Sequence, residues 1–188
     1  IGRQACERGR IGAGDWVGIL GAGMVGLSVL LQARARGARC AVVEPVEWRR
    51  ILARDLGAEI TVTPEAVADG LGDWGEDGHP TVVVEAAGRP ETLALALNLV
   101  SSCGRVVVLG FWPDEIRVPG PVVVGKEVNV VGSRLHCGTI QKTVAQLAAG
   151  ALDLGPLEPA IVPLVEGPEA FEALSRGELE VSKVLLRA

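Results

Sequence analysis

The chain has 188 residues, of which 48% are hydrophobic, and its formal net charge is −5. This length and hydrophobicity suit a globular domain with a core and argue against disorder. The net negative charge and an aromatic content of 3% argue against nucleic acid as a partner. No hydrophobic stretch reaches the ~20 residues of a bilayer-spanning helix, so we expect no membrane partner.

The start of the chain is polar and glycine-rich, and it has neither an initiator methionine nor the pattern of a signal peptide. We therefore expect a piece of a longer protein, or a chain whose start has been removed, and we expect a cytoplasmic location. The four cysteines, Cys6, Cys40, Cys103 and Cys137, lie more than 30 residues apart, and the chain has only two histidines. This spacing argues against a metal site and predicts reduced thiols that are buried or half-buried.

Valine-rich runs in the first two thirds of the chain are hydrophobic almost without interruption. Uninterrupted hydrophobic runs of this length are typical of parallel strands that are covered on both faces. The five predicted strands are residues 16–20, 40–44, 81–87, 105–110 and 128–133, and a weaker sixth candidate is 58–63.

Helical stretches separate these strands. Residues 24–36 and 47–56 are each followed by a glycine that suits a helix end, and residues 90–100 begin with a proline that suits a first turn. Strand and helix alternate in units of about 25 residues, which predicts an α/β Rossmann fold: a doubly wound, parallel, six-stranded sheet.

The regular alternation of predicted strands and helices ends after Ser133. We predict a helix over residues 139–150, a proline-rich irregular stretch, a short helix over 168–177 and a final strand over 182–187. This short C-terminal helix–strand tail is predicted to be a structural unit of its own.

A glycine-rich turn, G-x-G-x-x-G, follows the first predicted strand and opens the first helix. In a dinucleotide-binding turn Gly21 allows the tight bend, Gly23 lets a pyrophosphate approach the backbone, and Gly26 lets the helix sit close to the strand. The free N–H groups at the helix start would face the phosphates. The alternative is a turn without a ligand.

An acidic residue is expected at the end of the second strand, and Glu44 stands there. Its carboxylate would accept hydrogen bonds from the adenosine ribose and would repel a 2′-phosphate, which favours NAD over NADP. Arg49 and Arg50 are opposing evidence because either could attract a phosphate. The alternative for Glu44 is a solvated strand end.

Five segments in the same order and spacing resemble the coenzyme-binding half of the medium-chain dehydrogenase/reductase superfamily, the zinc-type alcohol and polyol dehydrogenases. These segments are residues 14–38, 42–59, 82–110, 126–133 and 169–186. There are two departures: Glu44 stands where NAD-dependent members more often have aspartate, and Thr81 stands where many relatives have aspartate.

The resemblance implies a set of cofactor contacts at the carboxyl ends of the strands and in the tail. In chain order they are Gly21, Ala22, Gly23, Met24, Val25 and Gly26 for the pyrophosphate, Glu44 and Arg49 for the adenosine ribose, Ala86 and Ala87 beside the cofactor, Leu109, Gly110 and Phe111 beside the nicotinamide, Val130 and Val131 for its carboxamide, and Lys183 for the pyrophosphate. For Lys183 an ordinary surface lysine is the alternative.

The resemblance also implies a division of the chain. Residues 1–13 would be the remnant of an interdomain helix, 14–133 the NAD-binding Rossmann domain, and 134–188 a segment that returns to the catalytic domain. Zinc would be held by an N-terminal GroES-like domain upstream of Ile1. We therefore assign no catalytic residue and no metal ligand in this chain, and we interpret His136 and Cys137 as polar cleft residues and His79 as solvated.

The implied reaction is the reversible oxidation of a small alcohol or polyol to a carbonyl compound, with NAD as the hydride carrier. One alternative is a zinc-free NADPH-dependent quinone or enoyl reductase, against which Glu44 argues because such proteins usually have a small residue there. The other is a non-catalytic dinucleotide-binding module. We also expect a homodimer or homotetramer, with residues 115–125 at its edge.

Overall fold

The computed structural model describes residues 1–67, 70–112, 115 and 118–188. Its central sheet has six parallel strands in the order β3-β2-β1-β4-β5-β6. The strands are β1 (Trp16–Leu20), β2 (Arg39–Val43), β3 (Ile60–Val62), β4 (Val82–Glu85), β5 (Arg105–Val108) and β6 (Asn129–Gly132). This order is that of dinucleotide-binding Rossmann folds, and it confirms the predicted fold, including the weaker sixth strand.

Helices connect the strands. They are α1 (Gly2–Arg8), α2 (Met24–Arg34), α3 (Glu47–Asp55), α4 (Pro90–Leu99), α5 (Gly120–Gly125), α6 (Ile140–Ala148) and α7 (Gly167–Arg176), with short 3₁₀ helices at Pro64–Val67 and Leu164–Glu166. The five predicted helices are all present, and each end lies within two residues of its prediction. None of the helices within the described ranges has the length and hydrophobicity of a membrane span.

Two hydrophobic layers cover the sheet, one on each face. Val17 and Ile19 of β1 pack in the layer that contains Leu27 of α2, while Val83 of β4 packs in the layer that contains Leu97 of α4. Because successive side chains of a strand point to opposite faces, both faces need hydrophobic residues, and the runs of valine satisfy this requirement.

The N-terminal segment joins this core. Helix α1 packs so closely on α2 that a Cβ atom at Gly2 would lie 2.2 Å from the carbonyl oxygen of Ser28. Arg105 holds the segment that follows, because its Nη1 donates to the carbonyls of Gly9 at 2.8 Å and Arg10 at 3.0 Å. Its Nη2 also pairs with Asp15.

Thr81, one of the two departures from the family pattern, belongs to the same network. Its hydroxyl donates to Asp15 Oδ1 at 3.0 Å, and its oxygen accepts the N–H of Trp16 at 3.1 Å. Threonine thus ties the start of β4 to the start of β1.

The tail differs from the prediction in one element. The proline-rich stretch contains β7 (Ala160–Pro163), which pairs in parallel with β8 (Val184–Arg187) in a separate two-stranded sheet. The prediction of an irregular stretch is therefore wrong there. Its pairing partner lies more than 20 residues away, which local residue patterns cannot reveal.

The stretch 115–125, which we expect at an oligomer edge, contains a helix. Residues 120–125 form α5, and Val122 and Val123 pack against the hydrophobic layer on the α4 side of the sheet. Residues 116 and 117 of this stretch lie outside the described residues.

The cysteines fall into two classes, so the prediction of four buried or half-buried thiols is only half correct. Cys6 and Cys40 are buried in the core, whereas Cys103 and Cys137 are exposed. Burial raises the pKa of the Cys6 and Cys40 thiols from 9.0 to about 12. Both thiols are therefore protonated in the folded state. Their contribution to the free energy of unfolding is fully present below pH 9.0, the ordinary thiol pKa, and is lost as the pH rises to about 12, the pKa in the folded chain.

We expect iodoacetamide at about pH 8 to modify Cys103 and Cys137 quickly and Cys6 and Cys40 only after unfolding, because the thiolate is the reactive form. Peptide mapping by mass spectrometry, with and without urea, measures this. Rapid modification of Cys6 or Cys40 in the folded chain would contradict the burial of these two thiols.

Candidate functional site

An open cleft of about 850 Å³ lies where the strand order reverses, at the carboxyl ends of β1 and β4. Ligands of doubly wound folds bind at this point of the sheet. The cleft brings together six of the sequence-predicted residues: Gly21, Gly23, Glu44, Arg49, Ala86 and Ala87.

The tight bend depends on Gly21. Its φ of +98° lies in the left-handed region, which favours glycine. A Cβ atom there would lie 3.1 Å from the backbone of Ala87, and the Gly21 N–H donates to the carbonyl of Val43 at 2.8 Å. The turn is thus fixed against the ends of both β2 and β4.

Gly26 and Gly23 differ in the space available for a side chain. A Cβ atom at Gly26 would lie 1.9 Å from the carbonyl oxygen of Gly21, so α2 sits directly on the turn. At Gly23 a Cβ atom would meet nothing within 4 Å, and the backbone there (φ −72°, ψ 177°) is open to any residue. Gly26 is therefore needed for packing, whereas the fold itself does not need a glycine at position 23.

Glu44 is only 3% exposed, so it is not a solvated strand end. Its Oε2 accepts the backbone N–H of Ala22 at 2.7 Å, and its Oε1 accepts the N–H of Val46 at 3.0 Å. The carboxylate thus supports the glycine-rich turn from the end of β2. It remains a wall of the cleft.

The two arginines of α3 separate in space. Arg49 lines the cleft, and its guanidinium carbon lies 5.2 Å from the ring centroid of Trp48. Arg50 turns back on the chain, where its Nη1 donates to the carbonyls of Glu44 at 2.8 Å and Pro45 at 2.6 Å. Arg49 is therefore the one of the two that faces the cleft.

A second cavity of about 360 Å³ lies at the ends of β5 and β6. It brings together four predicted residues, Val25, Leu109, Gly110 and Phe111. Phe111 is 84% exposed.

Residues that we did not single out complete this second cavity. They are Ile1, at the start of the chain, and Ser133, Arg134 and Leu135, which directly follow β6. The guanidinium of Arg134 lies 5.6 Å from the ring centroid of Phe111. The Ser133 hydroxyl is buried and has no hydrogen-bond partner among the residues that the structure describes. The one available signal was its place as the last residue of the strand predicted over 128–133.

Some predicted residues lie elsewhere. Val130 and Val131 lie within β6, paired in register with Val106 and Val107, and line neither cavity. Lys183 lines a third cavity of about 290 Å³ between α2, α6 and the tail, which it shares with Met24 at the start of α2. Ala22 is buried beneath the turn, and its N–H donates to the Glu44 carboxylate.

Sequence reasoning missed Glu85, the last residue of β4, although it is fully buried. Its carboxylate accepts the N–H groups of Ala87 at 2.9 Å, Gly88 at 2.8 Å and Gly110 at 3.1 Å. It thus lies between the cleft and the second cavity. The available signal was a lone carboxylate at the end of an otherwise hydrophobic strand.

Within the described ranges, no three histidine, cysteine or acidic side chains lie close enough to hold a metal ion. His136 is exposed, and its Nδ1 accepts the N–H of Gly138 at 3.3 Å. His79 is not solvated as expected, because it is half-buried and its Nδ1 hydrogen-bonds the carbonyl of Leu99 at 2.9 Å.

The chain is similar to known proteins over most of its length. The family described as zinc-binding dehydrogenase matches residues 24–150. Sorbitol dehydrogenase of Rattus norvegicus is 31% identical over 183 residues, which cover 94% of this chain and 51% of that enzyme. The chain spans about half the length of the curated relatives it matches.

Two solved structures have the same fold. An alcohol dehydrogenase of Escherichia coli in complex with NADH superposes with a TM-score of 0.89 at 22% identity, over 100% of this chain and 56% of that one. A protein of Sinorhizobium meliloti described as a zinc-binding dehydrogenase, with NADP bound, has a TM-score of 0.80 and 29% identity. That match covers 90% of this chain and 53% of the other.

Proposed function

Because the chain belongs to the zinc-binding dehydrogenase family, we propose that it is the NAD(H)-binding part of an alcohol or polyol dehydrogenase. The observation that carries the proposal is the unfilled space in front of Gly23, beside the buried carboxylate of Glu44. A turn that served packing alone would need Gly21 and Gly26 but would tolerate a side chain at position 23.

The residues of the cleft fit a dinucleotide. A pyrophosphate at Gly23 would meet the free N–H groups and the positive dipole end of α2, which is 11 residues long. An ionised carboxylate has about four acceptor positions. The protein donates two hydrogen bonds to Glu44, so positions remain for the ribose hydroxyls.

We propose NAD rather than NADP as the cofactor. Relatives of this fold bind either one, so the choice depends on residues of this chain. The Glu44 carboxylate would lie against a 2′-phosphate and repel it. Arg49 would donate to the ribose from the other wall, and Arg50 is already engaged with two backbone carbonyls.

The nicotinamide half would extend from Ala86 and Ala87 toward the second cavity, where Leu109, Gly110 and Phe111 lie. For Val130 and Val131 we propose backbone contacts at the edge of this path. Lys183 would approach the pyrophosphate from the tail, past Met24.

NAD, when bound, supplies the hydride chemistry, and the residues of this chain bind and orient it. We propose that the substrate is a small alcohol or its carbonyl product, and that a zinc ion held outside this chain polarises its oxygen. The division into residues 1–13, 14–133 and 134–188, a homodimeric or homotetrameric state and a cytoplasmic location belong to the same proposal.

Isothermal titration of the chain with NAD and NADP tests the proposal. We expect NAD to bind more tightly, and Glu44→Gln to weaken NAD and reduce the preference. The amide oxygen can still accept the N–H of Ala22, so the variant removes the charge and keeps the bond that supports the turn, while the amide NH₂ faces the N–H of Val46 and that second bond is lost. Hydrogen bonds to charged groups contribute about 1.5–3 kcal/mol, so we expect a loss of about ten- to a hundredfold.

The matched control is Glu47→Gln, which removes the same charge from an exposed position outside the cleft. Glu44→Ala should lose the preference and also loosen the turn, since nothing would then accept the Ala22 N–H. Tighter binding of NADP would instead support the NADPH-dependent reductase. Binding of neither cofactor to the folded chain would contradict the proposal.

A further inference from the structure

We propose that Glu85 is a positioning residue that clamps the loop after β4 to the loop after β5 and thereby aligns the two halves of the cofactor path. The inference rests on the proposed function, since the path is that of NAD. It concerns a side chain that faces neither cavity and would touch no cofactor atom.

The first step of the argument is the bonding of the carboxylate. Glu85 is 0% exposed, and its Oε1 accepts three hydrogen bonds from the β4 side: the N–H groups of Ala87 at 2.9 Å and Gly88 at 2.8 Å, and the Thr92 hydroxyl at 2.7 Å. Its Oε2 accepts the N–H of Gly110 at 3.1 Å, from the loop after β5. Each oxygen thus serves a different loop.

The second step is how closely the two loops approach. A Cβ atom at Gly110 would lie 2.2 Å from Glu85 Oε2 and 2.6 Å from the Cα atom of Gly88. Gly88 itself has a φ of +73°, which favours glycine. The loops therefore meet backbone to backbone, with the carboxylate bridging them.

The third step is what each loop lines. Ala87 is part of the wall of the large cleft, and Gly110 is part of the wall of the second cavity. A dinucleotide that spans both must pass the point where Glu85 joins them. Moving one loop against the other would misplace the nicotinamide half relative to the adenosine half.

The two carboxylate oxygens accept different numbers of hydrogen bonds, three at Oε1 and one at Oε2. The variant Glu85→Gln uses this difference. The amide oxygen can take the position with three donors, which places the amide NH₂ against the Gly110 N–H. Two donors then face each other, so the bond from Gly110 to the side chain is lost while the three bonds on the β4 side remain. The Gly110 N–H keeps only its longer bond, of 3.3 Å, to the backbone carbonyl of Glu85. Glu85→Asp is the second variant, because its shorter side chain keeps the charge but cannot reach both loops.

The experiment compares AMP, which needs the adenosine half of the site alone, with NAD, which needs both halves, by calorimetric titration of the 188-residue chain. In Glu85→Gln we expect NAD to bind about tenfold or more weakly and AMP to bind as in the wild type. Glu85→Asp should show the same split. Equal losses for AMP and NAD, or no loss, would overturn the inference.

A structural control separates positioning from general stability. Asp15→Asn changes another hydrogen-bonded carboxylate, at the opposite end of the sheet, and should lower the unfolding temperature without altering the ratio of NAD to AMP affinity. Hydrogen exchange gives a readout that needs no cofactor. The Gly110 amide should exchange faster in Glu85→Gln while those of Ala87 and Gly88 stay protected.

Different results would contradict the proposed function and the role proposed for Glu85. If the wild-type chain binds no NAD, the proposed function fails, and the exchange of Gly110 then decides on its own whether Glu85 clamps the loops. If NAD binds but the Gly110 amide and the NAD affinity are unchanged in Glu85→Gln, the clamp is wrong and the proposed function stands.

Discussion

Replacing Gly23 with alanine is expected to abolish NAD binding while the chain stays folded. The backbone at Gly23 is one that alanine adopts freely, and its Cβ would meet no atom within 4 Å. Position 23 caps α2, where alanine in place of glycine costs about 1 kcal/mol or less. The added methyl group would occupy the space through which a pyrophosphate reaches the backbone.

Calorimetric titration with NAD, together with thermal unfolding of the same sample, measures both parts of this expectation. Gly12→Ala is the matched control, since a Cβ at Gly12 also meets nothing within 4 Å and the residue lies outside the cleft. The control should bind NAD as the wild type does. NAD affinity in Gly23→Ala equal to that of the wild type would show that the pyrophosphate does not lie at this turn.

Gly26→Ala is expected to have the opposite effect, a large loss of stability. Its Cβ would lie 1.9 Å from the carbonyl oxygen of Gly21, a backbone atom that cannot move without shifting the turn or the helix. Overpacking of this kind costs about 1–3 kcal/mol, sometimes more. Alanine stabilises a helix by about 1 kcal/mol relative to glycine, and this gain offsets part of the cost of the clash. The measured loss of stability is therefore smaller than the cost of the clash alone.

For a chain of this size such a loss lowers Tm by about 2–12 °C. Urea unfolding of the wild type, Gly26→Ala and Gly23→Ala measures the difference, and Gly26→Ala should have the lowest midpoint. An unchanged midpoint for Gly26→Ala would mean that α2 does not sit on the turn as closely as the structure has it. The pair of variants thus separates the glycine that packs from the glycine that leaves room for a ligand.

Much of the fold could be predicted because its signals are local. A parallel strand covered on both faces needs consecutive hydrophobic side chains, and the valine-rich runs of β1, β2, β4, β5 and β6 have this pattern. The glycine-rich turn could be assigned for the same reason, since G-x-G-x-x-G after a strand depends on contacts within six residues. The roles of the individual site residues stay predictions.

The errors fall where partners are distant in sequence. Strand β7 has a short hydrophobic run among prolines and becomes a strand only through its pairing with β8. His79 is half-buried because its ring reaches the carbonyl of Leu99. Neither contact can be predicted from the residue pattern around β7 or around His79.

The sequence by itself therefore determined the class of the fold and the location of the glycine-rich turn, because hydrophobic burial and backbone sterics act on neighbouring residues, while the family followed from the resemblance of five segments to known proteins. Only the tertiary structure decided between Arg49 and Arg50, which are adjacent in the chain but about 100° apart around a helix, so that one faces the cleft and the other the backbone. It also decided the role of Glu85. Whether a buried carboxylate joins two loops depends on how two strands pack side by side, and residues 85 and 110 meet only once β4 and β5 are paired.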